Sequence, residues 1–267
     1  MDGLDRYQLG LGTWENDNPD ACARSVETAL ELGYRHIDTA QAYGNEDAVG
    51  RGIANSSVPR EEVFLATKVD TGNLGYHDVH ETTGESLDKL RTDYLDLLYV
   101  HWPVDAYDAE ATLAAFQDLY DDGTIERVGV SNFEVRHLDE ARELLDAPIY
   151  AHQIELHPYL QQDELRSYAA DHDHHVVAYS PLARGEVLDD PVLESIADKH
   201  DASVPQVTLA WHREIGVAAI PKATSPEHIE DNWGAREVDL DDEDHDRIAD
   251  LDEGRREVDF PGAPWNN

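Results

Sequence analysis

The chain has 267 residues, of which 58 are Asp or Glu and 20 are Lys or Arg, so its formal net charge at pH 7 is −38. Such an acidic surface argues against direct nucleic-acid binding, because phosphate backbones require positively charged partners. The length suits one large core, and an apolar fraction of 40% argues against a disordered acidic chain. We therefore expect residues 1–267 to form a single folded domain.

The excess of acidic residues also predicts a dependence on salt. A surface with this charge repels itself unless concentrated cations screen it. Because the composition resembles that of proteins from salt-accumulating halophiles, we expect stability and activity to require molar salt.

The sequence shows no sign of secretion or membrane insertion. Its first ten residues (MDGLDRYQLG) lack the basic and apolar regions of a signal peptide, and no stretch of 18 apolar residues occurs. The single cysteine, Cys22, leaves no partner for a disulfide within the chain and excludes a multi-cysteine metal site. We expect a cytoplasmic protein that does not act at a membrane.

Eight β-type segments alternate with amphipathic, charge-rich segments along the chain. Such alternation is typical of parallel strands, and eight strand-helix units close naturally into a barrel. We predict a (β/α)8 TIM barrel, with residues 9–14 forming a short N-terminal hairpin at the barrel bottom. A doubly wound open sheet is the alternative, but the nearest glycine fingerprint, at 50–52, does not follow a first strand. The predicted strands are 35–38, 63–68, 95–100, 127–130, 149–154, 175–179, 217–220 and 236–238.

Reactive side chains recur where the predicted strands end, which is where (β/α)8 barrels place their functional residues. Asp38 ends the first predicted strand and Lys68 the second, whereas His101 follows the third and Tyr43 lies in the loop after the first. A carbonyl that accepts a hydride needs such a set, because its oxygen must also receive a proton. Each residue alone is compatible with a structural role, but their joint placement favours catalysis.

Six segments, in the same order, resemble signature segments of the aldo-keto reductase family, and the resemblance runs nearly end to end. It implies a (β/α)8 barrel that reduces an aldehyde or ketone with NAD(P)H. The six segments are 33–46 (GYRHIDTAQAYGNE), 93–103 (DYLDLLYVHWP), 129–133 (GVSNF), 153–158 (QIELHP), 180–182 (SPL) and 220–222 (IPK).

The resemblance assigns a role to each of the four reactive residues. Tyr43 would donate a proton to the carbonyl oxygen as hydride reaches carbon. A free phenol has a pKa of about 10, so Lys68 would stabilise the phenolate that forms. Asp38 would keep Lys68 charged and oriented, and His101 would direct and polarise the carbonyl.

The resemblance also implies a binding site for the nicotinamide and the pyrophosphate of the cofactor. The carboxamide would be held by polar side chains, the ring would stack on an aromatic one, and small or apolar residues would line the ring and the pyrophosphate. The residues in these roles are Ser131, Asn132 and Gln153 for the carboxamide, Tyr179 for the ring face, Ser180 and Leu182 for the pyrophosphate, and Gly12 and Thr13 near the ring.

At the adenosine end, Lys222 would meet the 2′-phosphate and pyrophosphate region, with Thr224 and Ser225 beside it, and Asn232 would contact adenine. His228 stands where the family usually has an arginine that grips the 2′-phosphate. Histidine is mostly neutral near pH 7 and makes a weaker phosphate contact than arginine does. We therefore expect NADPH as the cofactor, with NADH also possible.

Trp14 and Trp102 would form the walls of an apolar pocket for a small carbonyl substrate. We expect the protein to be a monomer.

One alternative function is that of a regulatory barrel that binds NADPH without turnover. Another is a metal-dependent hydrolase, for which histidines are plentiful. The spacing of those histidines is poor for ligands, and residues 172–175 are better explained as a polar turn before a strand. We predict no metal site. The histidines concerned are His152, His157, His172, His174 and His175.

Overall fold

The computed structural model describes residues 3–266, and within them eight parallel strands follow one another around a barrel in chain order. Each neighbouring pair is parallel, from the pairing of Gly10 with His36 to the pairing of Ala178 with Ala219. The predicted (β/α)8 barrel is confirmed. The strands are β1 (Gly10–Gly12), β2 (His36–Asp38), β3 (Phe64–Val69), β4 (Leu97–Val100), β5 (Val128–Ser131), β6 (Ile149–Glu155), β7 (His175–Tyr179) and β8 (Ala218–Ala219).

Two isolated β-bridges join the first strand, β1, to the last strand, β8, and to the residues next to them. Leu9 pairs with Ala219 and Gly12 with Lys222, both in the parallel sense. The backbone N–H of Gly12 donates to the carbonyl of Pro221 over 3.1 Å. This closure rules out the doubly wound open sheet.

Two segments differ from the prediction. The hairpin predicted over 9–14 is wrong, because Gly10–Gly12 is the first barrel strand and pairs in parallel with β2. A Cβ at Gly10 would lie 2.7 Å from the ring of His36, and one at Gly12 would lie 2.5 Å from the carbonyl oxygen of Ile220, so both positions favour glycine. The strand predicted over 236–238 is also wrong, because Ala235–Glu237 is a 3-10 turn that follows a helix.

Ten helices lie outside the barrel within the described residues. Several start at a polar cap followed by proline, which suits the first helical turn. Asn18 is one such cap: its Oδ1 accepts the N–H groups of Asp20 (3.1 Å) and Ala21 (2.9 Å). The helices are α1 (Pro19–Leu32), α2 (Glu46–Asn55), α3 (Tyr76–Leu90), α4 (Ala109–Asp121), α5 (Val135–Leu144), α6 (Asp163–Asp171), α7 (Pro191–His200), α8 (Val204–Glu214), α9 (Pro226–Gly234) and α10 (Asp242–Ala249). None of these helices is both long enough and apolar enough to cross a bilayer.

The barrel interior changes from apolar to polar along each strand. Side chains of a strand alternate between its two faces, so every second residue shares a face. On β3, Phe64 and Ala66 belong to the inner apolar cluster, and Lys68 is the next residue on that face. On β6, Ala151 is followed in the same way by Gln153. The apolar residues fill the bottom of the barrel, and the polar residues meet at its C-terminal mouth.

The histidine-rich stretch forms the turn that was predicted. His172 is the C-terminal cap of α6, and His175 begins β7, at the opposite end of the strands from the polar mouth. Among residues 3–266, no group of three or more His, Cys, Asp or Glu side chains is arranged to hold a metal ion.

Candidate active site

A cavity of about 650 Å³ opens at the C-terminal mouth of the barrel. Most of the residues predicted from the sequence line it, and Lys68 lies just beneath it. The predicted residues in its wall are Gly12, Thr13, Trp14, Asp38, Tyr43, His101, Trp102, Ser131, Asn132, Gln153, Tyr179, Ser180, Leu182 and Lys222.

The ammonium group of Lys68 connects two of the predicted reactive residues. Its Nζ donates to Oδ1 of Asp38, to the carbonyl of Thr39 over 2.8 Å and to the hydroxyl oxygen of Tyr43 over 3.3 Å. An ammonium has three N–H donors, so all of them have acceptors. The Lys68 side chain is fully buried, and its direction is therefore set by these three contacts.

Burial and charge act in opposite directions on the two groups. Burial alone would lower the pKa of Lys68, but Asp38 and Tyr43 together outweigh it and raise that pKa. Burial raises the pKa of Tyr43 above its ordinary value, while the ammonium of Lys68 works against this shift. Lys68 is thus charged and Tyr43 carries its proton at neutral pH, which is the state a proton donor needs.

His101 faces Tyr43 across the cavity, with ring centres 5.8 Å apart and nearly perpendicular planes. Burial, together with repulsion from Lys68, lowers the pKa of His101 to about 3. The imidazole is therefore neutral at physiological pH, and a neutral imidazole has one N–H to donate. It can offer a hydrogen bond to a substrate oxygen without adding a positive charge.

The residues predicted for the carboxamide form a hydrogen-bond network with Asp38. The Nε2 of Gln153 donates to Oδ2 of Asp38 over 2.8 Å, so both oxygens of that carboxylate are occupied. The hydroxyl of Ser131 donates to the carbonyl of Gln153 over 2.9 Å. Polar side chains on β2, β5 and β6 are thereby held in one arrangement.

Asn132 extends this network toward the next strand. Its Nδ2 donates to the carbonyl of His101 over 3.1 Å, and its Oδ1 accepts the hydroxyl of Tyr179 over 2.8 Å. The backbone of Asn132 is left-handed, with φ of 61°, a conformation that asparagine tolerates better than most residues. The hydroxyl of Tyr179, which also lines the cavity, is thus held by Asn132.

Most of the residues predicted for the adenosine end are not part of the cavity wall. Only Lys222 lines the cavity, whereas Thr224, Ser225, His228 and Asn232 lie beyond it on the loop after β8 and on α9. Ser225 caps α9, because its Oγ accepts the N–H of His228 over 3.2 Å. His228 is exposed, and Asn232 is buried.

Several residues of the cavity wall were not predicted from the sequence, and two groups among them belong to segments that contact the predicted tryptophans. Arg184 lies on the loop after β7, with its guanidinium 4.8 Å from the ring centre of Trp14. Its φ of 52° and that of Ala183, 44°, are left-handed. Only Gly185, which lines the cavity next to them with a φ of 101°, could have signalled an unusual turn here.

The second group is the C-terminal segment, which runs beside Trp102. Val258 lines the cavity, and the rings of Phe260 and Trp265 lie 5.2 and 5.6 Å from that of Trp102. Trp102 therefore packs between the cavity and this segment. Aromatic residues near the end of the sequence were the only available signal.

Comparison with known proteins identifies a family for nearly the whole chain. The pattern of the aldo/keto reductase family matches residues 8–253. The glyoxal reductase of Bacillus subtilis (strain 168) is 41% identical over 255 residues, which cover 95% of this chain and 92% of that protein. Methylglyoxal reductase DkgB of Escherichia coli O157:H7 is 43% identical over 247 residues, or 91% of this chain and 92% of that protein.

A solved structure agrees with this match. A variant of Gox0644 in complex with NADPH superposes with a TM-score of 0.89 at 35% identity, and the alignment covers 97% of this chain and 94% of that chain.

Proposed function

Because this chain belongs to the aldo/keto reductase family and is an NADPH-dependent reductase of carbonyl compounds, we propose that Tyr43 is its proton donor. The contact of one buried ammonium, Lys68, with both Tyr43 and Asp38 is the observation that carries this proposal. Neither the regulatory barrel nor the metal-dependent hydrolase finds support in the relatives that this chain resembles.

The cavity suits a nicotinamide cofactor by the chemistry of its wall. Hydroxyl and amide groups of Ser131, Asn132 and Gln153 can bind a carboxamide, and the face of Tyr179 can stack on a flat ring. Lys222 supplies a cation for phosphate at the edge of the cavity. When bound, NADPH supplies the hydride that the carbonyl carbon receives.

The protein's own residues then act on the carbonyl oxygen. His101 donates a hydrogen bond that orients and polarises it. Tyr43 transfers its phenolic proton as negative charge develops, which converts the carbonyl to an alcohol and leaves a phenolate. Lys68 stabilises that phenolate, and Asp38 keeps Lys68 charged. A proton from solvent restores the phenol.

We propose small 2-oxoaldehydes, such as methylglyoxal, as the substrate class. Two relatives with 41% and 43% identity are named for the reduction of glyoxal and methylglyoxal. Trp14, Trp102 and Leu188 contribute apolar surface to the same cavity that Tyr43 and His101 line. The size of the cavity, about 650 Å³, supports a small substrate rather than a large one when a nicotinamide shares it.

We propose further that NADH also supports turnover, at lower affinity than NADPH. Lys222, Thr224 and Ser225 remain available to a 2′-phosphate, but the exposed His228 replaces a permanent cation there. Asn232 is proposed to contact adenine.

The remaining proposals concern the state in which the enzyme works. The net charge of −38 supports a requirement for molar salt and argues against nucleic acid as a partner. We propose that it acts in the cytoplasm, away from membranes, as a monomer built from one domain. Light scattering in molar potassium chloride tests the monomer directly.

Tyr43→Phe tests the proposed function. Carbonyl-dependent oxidation of NADPH would be measured in molar potassium chloride with methylglyoxal and a panel of other aldehydes. General acid catalysis contributes about 10²- to 10⁴-fold, so we expect the variant to lose activity by that factor. NADPH binding, measured by fluorescence, should persist. A variant with full activity would refute the role of Tyr43.

A further inference from the structure

Glu155 is a buried carboxylate that the proposed mechanism does not use. It is the last residue of β6, and strand alternation places it on the same inner face as Gln153, one step nearer the cavity mouth. It pairs in register with Tyr179 on β7 and is only 1% exposed. A carboxylate is rarely buried so completely unless it has partners.

The partners of Glu155 come mainly from the far end of the chain. Its Oε1 accepts the backbone N–H of Glu257 over 2.5 Å, and its Oε2 accepts that of Val258 over 3.1 Å. The Nε2 of His157 lies 3.0 Å from the same Oε1. Two consecutive backbone donors thus converge on one side chain that is about a hundred residues away in sequence.

These donors belong to a segment that forms part of the substrate pocket. We name residues 253–266 the C-terminal strap. On the N-terminal side of its contact with Glu155, the strap is held by the carbonyl of Tyr159, which accepts the N–H groups of Glu253 (3.2 Å) and Arg255 (3.0 Å). From Val258 onward the strap borders the cavity, and its aromatic residues pack on Trp102. Glu155 therefore holds the strap where it crosses from the barrel edge to the pocket.

We propose that Glu155 is a positioning residue that determines which carbonyl compounds the pocket accepts. By holding the backbone at Glu257 and Val258, it sets the place of the strap and of the aromatic wall around Trp102. Hydrogen bonds to a charged acceptor are stronger than those between neutral groups, and a carboxylate offers two oxygens to two donors. This inference rests on the proposed function, because it treats the cavity as the carbonyl site.

The test compares Glu155→Ala and Glu155→Gln with Glu253→Gln. The last variant removes one negative charge from an exposed strap residue whose backbone contacts remain, so it controls for charge. Three quantities would be measured in molar potassium chloride. They are kcat and KM for methylglyoxal and for a bulky aromatic aldehyde, the Kd of NADPH, and hydrogen exchange of the Glu257 and Val258 amides.

We expect Glu155→Ala to raise KM for the aromatic aldehyde by about tenfold, the factor expected when a charge-assisted hydrogen bond is lost. The kcat for methylglyoxal and the Kd of NADPH should change by less than about twofold, because a loosened strap leaves both the proton donor and the nicotinamide contacts in place. Amide exchange at 257 and 258 should accelerate. Glu155→Gln keeps one acceptor oxygen and should give an intermediate KM, whereas Glu253→Gln should behave like the wild type.

Unchanged KM values together with unchanged amide exchange in Glu155→Ala would overturn the proposal. If that variant fails to fold, Val258→Pro and Val258→Ala replace it, because only proline removes the backbone donor. A higher KM for the aromatic aldehyde in Val258→Pro than in Val258→Ala supports the anchor, and equal values overturn it. If the wild type reduces no carbonyl, the proposed function fails, and amide exchange alone then decides whether Glu155 anchors the strap.

Discussion

The side-chain amide of Gln153 donates a hydrogen bond of 2.8 Å to Asp38, on the carboxylate oxygen that Lys68 leaves free. A residue proposed to bind the cofactor and a residue proposed to maintain the catalytic ammonium therefore share a direct contact. A substitution at the proposed carboxamide site should therefore also affect proton transfer from Tyr43.

Gln153→Ala tests this contact. It leaves a buried carboxylate oxygen without a donor, which costs about 1–3 kcal/mol. We expect the free energy of unfolding to fall by that amount and both kcat and NADPH affinity to decrease. Urea denaturation and steady-state kinetics in molar potassium chloride provide the measurements. A variant with weaker NADPH binding but an unchanged kcat would show that the two sites act independently.

Lys68→Met should be both inactive and unstable, because it leaves the carboxylate of Asp38 buried without its cation. Breaking a buried pair in this way costs roughly 3–5 kcal/mol. In the double variant Asp38→Asn with Lys68→Met, the uncompensated charge is gone, so stability should recover while turnover stays low. Urea denaturation and methylglyoxal-dependent NADPH oxidation separate the two effects. Recovery of activity in the double variant would contradict the role of the ammonium.

Buried imidazoles should make the protein less stable in mild acid. Burial lowers the pKa values of His36, His152 and His212 to about 4, 3 and 4. An imidazole in the unfolded chain has a pKa of about 6.5, so below that pH the unfolded state binds more protons than the folded state does. The free energy of unfolding then falls as pH falls, by ~2 kcal/mol for each such histidine at pH 5.

His152→Asn isolates one of these contributions. Asparagine can still accept the N–H of Phe133, which Nε2 of His152 accepts over 3.2 Å. Between pH 7.5 and pH 5 the variant should lose less unfolding free energy than the wild type. The control is His228→Asn, which changes an exposed histidine. If the wild type and His152→Asn lose the same unfolding free energy over this pH range, the imidazole of His152 does not contribute to the loss.

His228→Arg should strengthen NADPH binding by about tenfold, because arginine adds a permanent charge and a bidentate fork near the proposed 2′-phosphate position. NADH lacks that phosphate, so its Kd should stay the same. Fluorescence titration with both cofactors measures the two constants. An equal increase in affinity for NADPH and NADH would show that residue 228 contacts a part of the cofactor other than the 2′-phosphate.

Potassium chloride should stabilise the fold strongly. The net charge of −38 is screened over about 10 Å at 0.1 M salt but over only about 3 Å at 1 M. We expect the thermal midpoint to rise between these concentrations. Sucrose serves as the control, since it favours burial of surface without screening charge. A protein that is fully folded and active in dilute buffer would refute the dependence on salt.

Some parts of the fold could be predicted and others could not, for reasons that lie in individual residues. Lys68 was identifiable because an apolar strand ends in a lysine within a chain that has few of them. β1 was missed because Gly-Leu-Gly has a single side chain to show alternation, and its pairing depends on close approach to His36. The contact of Glu155 with Val258 leaves no local signal, since the two residues are 103 positions apart.

The way in which the barrel closes has a consequence for assembly. Gly12 and Lys222 face each other across the junction of the first and last strands, and both border the cavity. Contacts between residues so distant in sequence form late, because a long loop must close before they are made. A nascent chain therefore lacks a complete cofactor-binding cavity until its last strand has been synthesised. A cofactor that touches both sides of the junction then stabilises the closed barrel by mass action.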